Sequence, residues 1–191
     1  MRLSYLAPPF LLAAYGVVRL FDGLDGSHGP GPAWTIGHVL FLVALLGFGG
    51  VAVDLGRRLR TVPAFVAAGA TLLGLAAFVH TVVVDLVVAS GAADRAEMNL
   101  RYRDHATPLD PVAPLYPIGF TVLVLLLAIA ARRAYWSPVL VLLGYLAIVV
   151  NLDLLPLAGL VILGASIPAA RDNDRQVRPT KGPNGRQHAG I

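Results

Sequence analysis

Polar positions along this chain are few and bunched, and between them lie apolar runs at about residues 3–20, 34–53, 64–89, 113–131, 137–151 and 154–168. A membrane-crossing helix needs about 20 predominantly apolar residues, so each run is of the right order. The last two form one continuous stretch, 137–168, in which Asp153 is the lone charge. As a single helix at about 1.5 Å per residue it would reach roughly 48 Å, against a hydrocarbon core of about 30 Å. It therefore reads as a short hairpin broken near Asn151–Pro156. Pro156 suits the first turn of a new helix, and the polar pair Asn151 and Asp153 suits the turn before it. The pattern predicts an all-α integral membrane bundle of six transmembrane helices.

Composition agrees: 57% of residues are hydrophobic, 14% are charged and the mean hydropathy is +0.71, outside the range of water-soluble domains. The first run opens with Arg2 like a secretion signal, but no small-x-small cleavage site follows before Arg19 and Phe21, so it reads as a retained span. Pro8 and Pro9 are expected to fray or kink its start.

Basic residues orient the bundle. With the N-terminus cytoplasmic, that side receives Arg2, Arg57, Arg58, Arg60, Arg132, Arg133, Arg171, Arg175, Arg178, Lys181 and Arg186, eleven of the fifteen. Only Arg19, Arg95, Arg101 and Arg103 fall opposite. The positive-inside rule then places both termini in the cytoplasm, with the chain in the cell's inner membrane. The net charge of +4 is on this reading a topology signal, and no nucleic-acid partner is expected. Residues 1–169 form the membrane domain. The polar, Pro-, Gly- and Arg-rich tail, 170–191, is expected to be a disordered basic cytoplasmic segment able to touch anionic lipid.

Two features of the runs concern packing. Trp34, Tyr116, Tyr135 and Trp136 lie at span ends, as interfacial belts require. Gly47, Gly49, Gly50, Gly69, Gly74, Gly159 and Gly164 lie inside spans, where small residues let helix backbones approach.

Ionisable groups within spans are costly and face a cavity or a partner, which makes Asp85 and Asp153 the candidate catalytic residues. Thr81 is four residues before Asp85 on the same helical face, placing its hydroxyl within reach of the carboxyl group. The alternative for Asp85 is an ion pair with Arg19 or the headgroup layer. His80 is turned about 140° from Asp85, which disfavours a single-face metal pair, and His38 is positioned to meet His80 across a helix interface. Thr81, His80, Asn151 and Tyr116 complete the candidate binding set. Asp54 reads as a boundary ion pair with Arg57 and Arg58, and Asp22 and Asp25 as turn residues. No metal site and no cofactor are expected.

The chain has no cysteine, which removes thiol chemistry, and its one lysine, Lys181, is in the tail, which removes an intramembrane Schiff base. No Gly-x-Ser-x-Gly or His-Glu-x-x-His motif is present. Two carboxyl groups in unlike surroundings supply general acid and general base without a cofactor. The expectation is a carboxylate site in the outer half of the bundle of an acid/base enzyme acting on a lipophilic, isoprenoid-like small molecule, as a membrane-embedded terpene cyclase does. The alternatives are a non-enzymatic accessory, carrier or lipid-binding subunit, with a homo-oligomer or a membrane partner, and proton or metal-ion handling through His38, His80 and Asp85.

Overall fold

Prolines and short polar residues set where the helices begin. In the computed structural model, which describes residues 2–24, 28–105 and 109–176 with side chains as far as Arg171, every regular element is helical. A 3-10 turn at Leu3–Tyr5 leads into α1 (Ala7–Asp22), whose first turn takes Pro8 and Pro9. The helix does not need their missing N–H groups there, so the two prolines start it and do not break it. Pro32 opens α2 (Pro32–Leu59), and Thr61 caps α3 (Val62–Ser90) by accepting from the Ala64 N–H. A tight link follows α2, with Arg60 in the left-handed region at φ 50°. A short helix, α4 (Arg95–Tyr102), precedes α5 (Leu115–Ala131), α6 (Trp136–Val150) and α7 (Leu155–Gln176).

The six longer helices form a closed ring in chain order, α1–α2–α3–α5–α6–α7, with α7 packed back on α1 and α2 touching α5 across the middle. Backbone proximity closes the ring. A Cβ on Gly159 of α7 would lie 2.5 Å from the Ala13 nitrogen of α1, and one on Gly119 of α5 would lie 2.7 Å from the Ala67 carbonyl oxygen of α3. By contrast, Gly50, Gly69 and Gly164 have open space at that position. The small residues expected to pack helices therefore divide into packed and unpacked sets. Phe48, Leu45, Leu55, Leu123 and Ile162 fill the interior, and the outward faces carry Ile36, Leu46, Phe65, Val66, Leu143 and Leu160 exposed. An apolar exterior around an apolar core suits a lipid solvent.

Four helices are long and apolar enough to cross a membrane: Pro32–Leu59, Val62–Ser90, Asp110–Ala131 and Leu152–Arg171. The six-span expectation is thus met in part. α1 has 16 residues and α6 has 15, about 24 and 22 Å at 1.5 Å per residue. The proline start and the Asn151 break shorten them. The break lies where the residue pattern puts it, since Asn151 Oδ1 accepts from the Asp153 N–H and begins the 3-10 turn Leu152–Leu154. α7 runs through Pro168 to Gln176, past the boundary at residue 169. Asp25 and the tail from 177 lie outside the described residues.

At the N-terminal end of the bundle, Asp54 is joined by residues distant in sequence. Arg2 reaches its carboxylate at 3.3 Å, the Tyr5 hydroxyl donates to it, and Arg58 donates to the Tyr5 oxygen at 3.2 Å. The boundary ion pair exists, but its cation is Arg2, from the chain start.

Candidate functional site

At the opposite end of the bundle, Asp85 sits in the last third of α3 with its side chain 19% exposed. His38, two turns into α2, is 7% exposed and faces it, with Nε2 3.5 Å from Asp85 Oδ2. The imidazole is held firmly. Its Nδ1 lies 2.8 Å from the Trp34 carbonyl oxygen one turn back, the Trp34 ring lies over it at 4.0 Å, and Tyr15 of α1 meets it edge-on at 5.7 Å. Because a carbonyl only accepts, Nδ1 carries a proton. The contact between Nε2 and the carboxyl group is then favourable when one further proton lies between them, giving either imidazolium with carboxylate or imidazole with carboxylic acid. His38 Nε2 and the Asp85 carboxyl group thus face each other across 3.5 Å.

The other carboxyl oxygen, Oδ1, accepts from the Tyr102 hydroxyl at 2.7 Å. Tyr102 comes from α4, in a connection that the sequence pattern leaves as a plain loop. Asp94 caps α4 by accepting from the Glu97 N–H, and Glu97 accepts from the Ala93 N–H and pairs with Arg101 at 2.8 Å. These bonds hold the Glu97 carboxyl below its usual range. The inner face of α4 places Met98, fully buried, against Trp34, Val84 and Val88. Arg95 lies 5.9 Å over the Trp34 ring. Burial first, and then the Asp85 hydrogen bond, push the Tyr102 phenol well above its usual range, so it is a standing donor.

Tyr15 joins this polar cluster to an apolar cavity. Its hydroxyl lies beside the Arg19 guanidinium, and its ring stacks on Phe41 at 4.7 Å. Beyond Phe41 is a cavity of about 180 Å³ to which all six longer helices contribute, with aromatic walls of Tyr15, Phe41, Phe78, Tyr116 and Tyr145. Leu152 and Leu155, on either side of the Asp153 turn, also line it. A small pocket between Tyr15, Arg19, Asp22, Trp34 and His38 holds two buried donors with no acceptor among the described residues, Arg19 Nε and Trp34 Nε1.

The residues singled out from sequence divide accordingly. Asp85 is at the centre of the cluster and Tyr116 lines the cavity. Thr81 donates to the Ala77 carbonyl and to Asp110 Oδ1 at 3.4 Å, and not to Asp85. His80 Nδ1 is buried without a hydrogen-bond partner among the described residues, and His38 meets Asp85 where the sequence pairs it with His80. Asn151 caps the turn, and Asp153 is exposed there, with no hydrogen bond or ion pair to Asp85 among the described residues. Among the described residues, no three His, Asp or Glu side chains converge as a metal site would require. Sequence reasoning missed Tyr102 and Tyr15. Only Tyr102 carried a signal, through the Asp94–Glu97 capping pattern followed by Met98 and Tyr102, four residues apart on one helical face. Compared with family models, with curated proteins and with solved structures, the chain has no match.

Proposed function

We propose that the protein is an acid/base enzyme of the cell's inner membrane, binding a lipophilic, isoprenoid-like molecule in the aromatic cavity and using the His38–Asp85 pair as its proton source and sink. One observation carries this reading: Tyr15 is at once a wall of the cavity and the edge contact of His38, so the His38–Asp85 pair lies one side chain from an apolar chamber. The chemistry that fits is isomerisation. With the Tyr15 ring turned aside to let the substrate reach the pair, the pair protonates an alkene or epoxide, a new carbon–carbon bond forms as the cation closes a ring, and loss of a proton from carbon returns it to the pair. Atoms and electrons balance with no co-reactant, and the aromatic walls favour the cation. Asp153 at the roof turn is the candidate second carboxylate, with Asn151 beside it.

A non-enzymatic carrier is the second reading, favoured because Asp85 and His38 are not themselves in the cavity lining. Mass spectrometry of organic extracts from purified wild type and Asp85→Asn separates the two. An isoprenoid-like ligand that changes identity or accumulates in the variant supports the enzyme, and the same ligand in equal amount in both supports the carrier. Bulk phospholipid alone refutes both.

The same proposal has six spans, with α1 and α6 completed by their flanking turns, and both termini cytoplasmic. Ser90→Cys and Thr61→Cys test it in a chain with no other cysteine. Ser90→Cys should react with a membrane-impermeant thiol reagent on intact cells, and Thr61→Cys only after permeabilisation. The reverse result overturns the orientation.

A further inference from the structure

The N-terminal end of the bundle has the largest hollow among those described, a groove of about 430 Å³ between α1 and α2, within the range of about 300–1,000 Å³ typical of ligand sites. Its polarity is graded. Arg2, Ser4 and Asp54 stand at one end, and Pro8, Leu11 and Val43 line the other. Along α2 the groove runs from Asp54 to Val43, eleven residues or about 16 Å at 1.5 Å per residue, which matches one leaflet of a hydrocarbon core about 30 Å thick. It is open on the lipid side, where Val43 is 48% exposed and Gly50 is exposed. Its floor depends on missing side chains. A Cβ on Gly47 would lie 2.7 Å from Pro8 Cγ, and Gly50 has open space where a side chain would be.

We infer that this groove seats one acyl chain of a phospholipid whose headgroup carries both a phosphate and a primary ammonium, as phosphatidylethanolamine does. Depth and polarity select a lipid, since the apolar end lies at chain level while the polar end is at the headgroup layer marked by Arg57, Arg58 and Arg60. Charge selects the headgroup. Arg2, 46% exposed, and Arg58 favour the phosphate, while Asp54, 35% exposed, favours the ammonium. Arg2 already pairs with Asp54 at 3.3 Å, so a phosphate competes with Asp54 for it; an ammonium then replaces the cation that Asp54 gives up, and a purely anionic headgroup does not. The site is separate from the cavity at the other end and does not depend on its chemistry.

Native mass spectrometry of the full chain, exchanged into equal mixtures of phosphatidylethanolamine and phosphatidylglycerol with identical acyl chains, tests this. Wild type should retain one lipid per chain, with the ethanolamine form favoured at least fivefold. Gly50→Leu adds a side chain to the groove at a position where its Cβ meets no atom within 4 Å, and it should cut retention about tenfold. Gly69→Leu, equally open but on α3 and outside the groove, should leave retention unchanged. Asp54→Asn should reduce the headgroup preference to near parity. Equal loss in both leucine variants, a preference for phosphatidylglycerol in wild type, or a lipid-free dimer seated through this face would each overturn the inference.

Discussion

Tyr102→Phe tests how α4 is held over the candidate site. The substitution removes one hydroxyl, whose hydrogen bond to Asp85 is 2.7 Å long, and leaves the ring in place. Hydrogen bonds to charged groups contribute about 1.5–3 kcal/mol, and partial exposure of both partners argues for the lower figure, about 1.5 kcal/mol. At about 1.4 kcal/mol per decade, α4 should undock roughly tenfold more often. Met98→Ala removes the fully buried anchor of the same helix, and truncating a buried methionine costs about 2–5 kcal/mol, or thirtyfold and upward. Asp85→Asn keeps an oxygen able to accept from Tyr102 but loses the charge, so its effect should fall below that of Tyr102→Phe. Amide hydrogen exchange across residues 98–102 in nanodiscs reads all three. The expected order of acceleration is Asp85→Asn, Tyr102→Phe, Met98→Ala. Exchange in Tyr102→Phe equal to wild type would refute the reasoning, because α4 would then be held without the bond to Asp85.

Two further outcomes follow from the packing and from the cap. Gly119→Ala places a methyl group 2.6 Å from Thr71 Oγ1 and 2.7 Å from the Ala67 carbonyl oxygen, and overpacking of this kind costs about 1–3 kcal/mol, so the unfolding midpoint in detergent should fall. Gly164→Ala, which meets nothing, should leave that midpoint level or slightly higher, and equal behaviour of the two would remove close packing as the cause. Glu97 has a folded-state value below its ordinary one, so its support of α4 is present above the ordinary carboxylate value of about 4.3 and is lost as pH falls through the lower folded one. A fluorophore on Asn99→Cys should report α4 loosening over that acid window, and the response should vanish in Glu97→Gln.

The hairpin break was legible because both of its causes are local: Pro156 starts a helix, and Asn151 caps the turn before it. Pro8 and Pro9 were legible as punctuation, but their effect depends on the helix starting at Ala7 and not at residue 3. The site was legible in one residue, Asp85, since a carboxyl in an apolar run has to be paired. Its partners were not. His38 lies on another helix, and whether it meets His80 or Asp85 depends on the rotation of α2 against α3, which is set by packing over their whole length. Thr81 shares a face with Asp85, yet its hydroxyl is satisfied by its own helix at Ala77 and by Asp110 from the turn before α5. Tyr15 carries no local mark, since an aromatic residue in a span has many uses and only the closed ring brings it between His38 and the cavity.

Ring closure between α1 and α7 also orders assembly in time. Arg2 donates its backbone N–H to the Ala170 carbonyl, and Gly16 of α1 faces Pro156 so closely that a Cβ would lie 2.5 Å from its nitrogen, so the first helix made waits for the last before its inner face is covered. During synthesis α1 can pack on α2 alone, and the aromatic chamber, walled by all six long helices, comes into existence only when α7 arrives. A chain stopped before residue 155 would therefore carry Asp85 and His38 in an intact α2–α3 pair while lacking the wall that separates the chamber from lipid. An incomplete copy thus has His38 facing Asp85 but no enclosed aromatic chamber beside them.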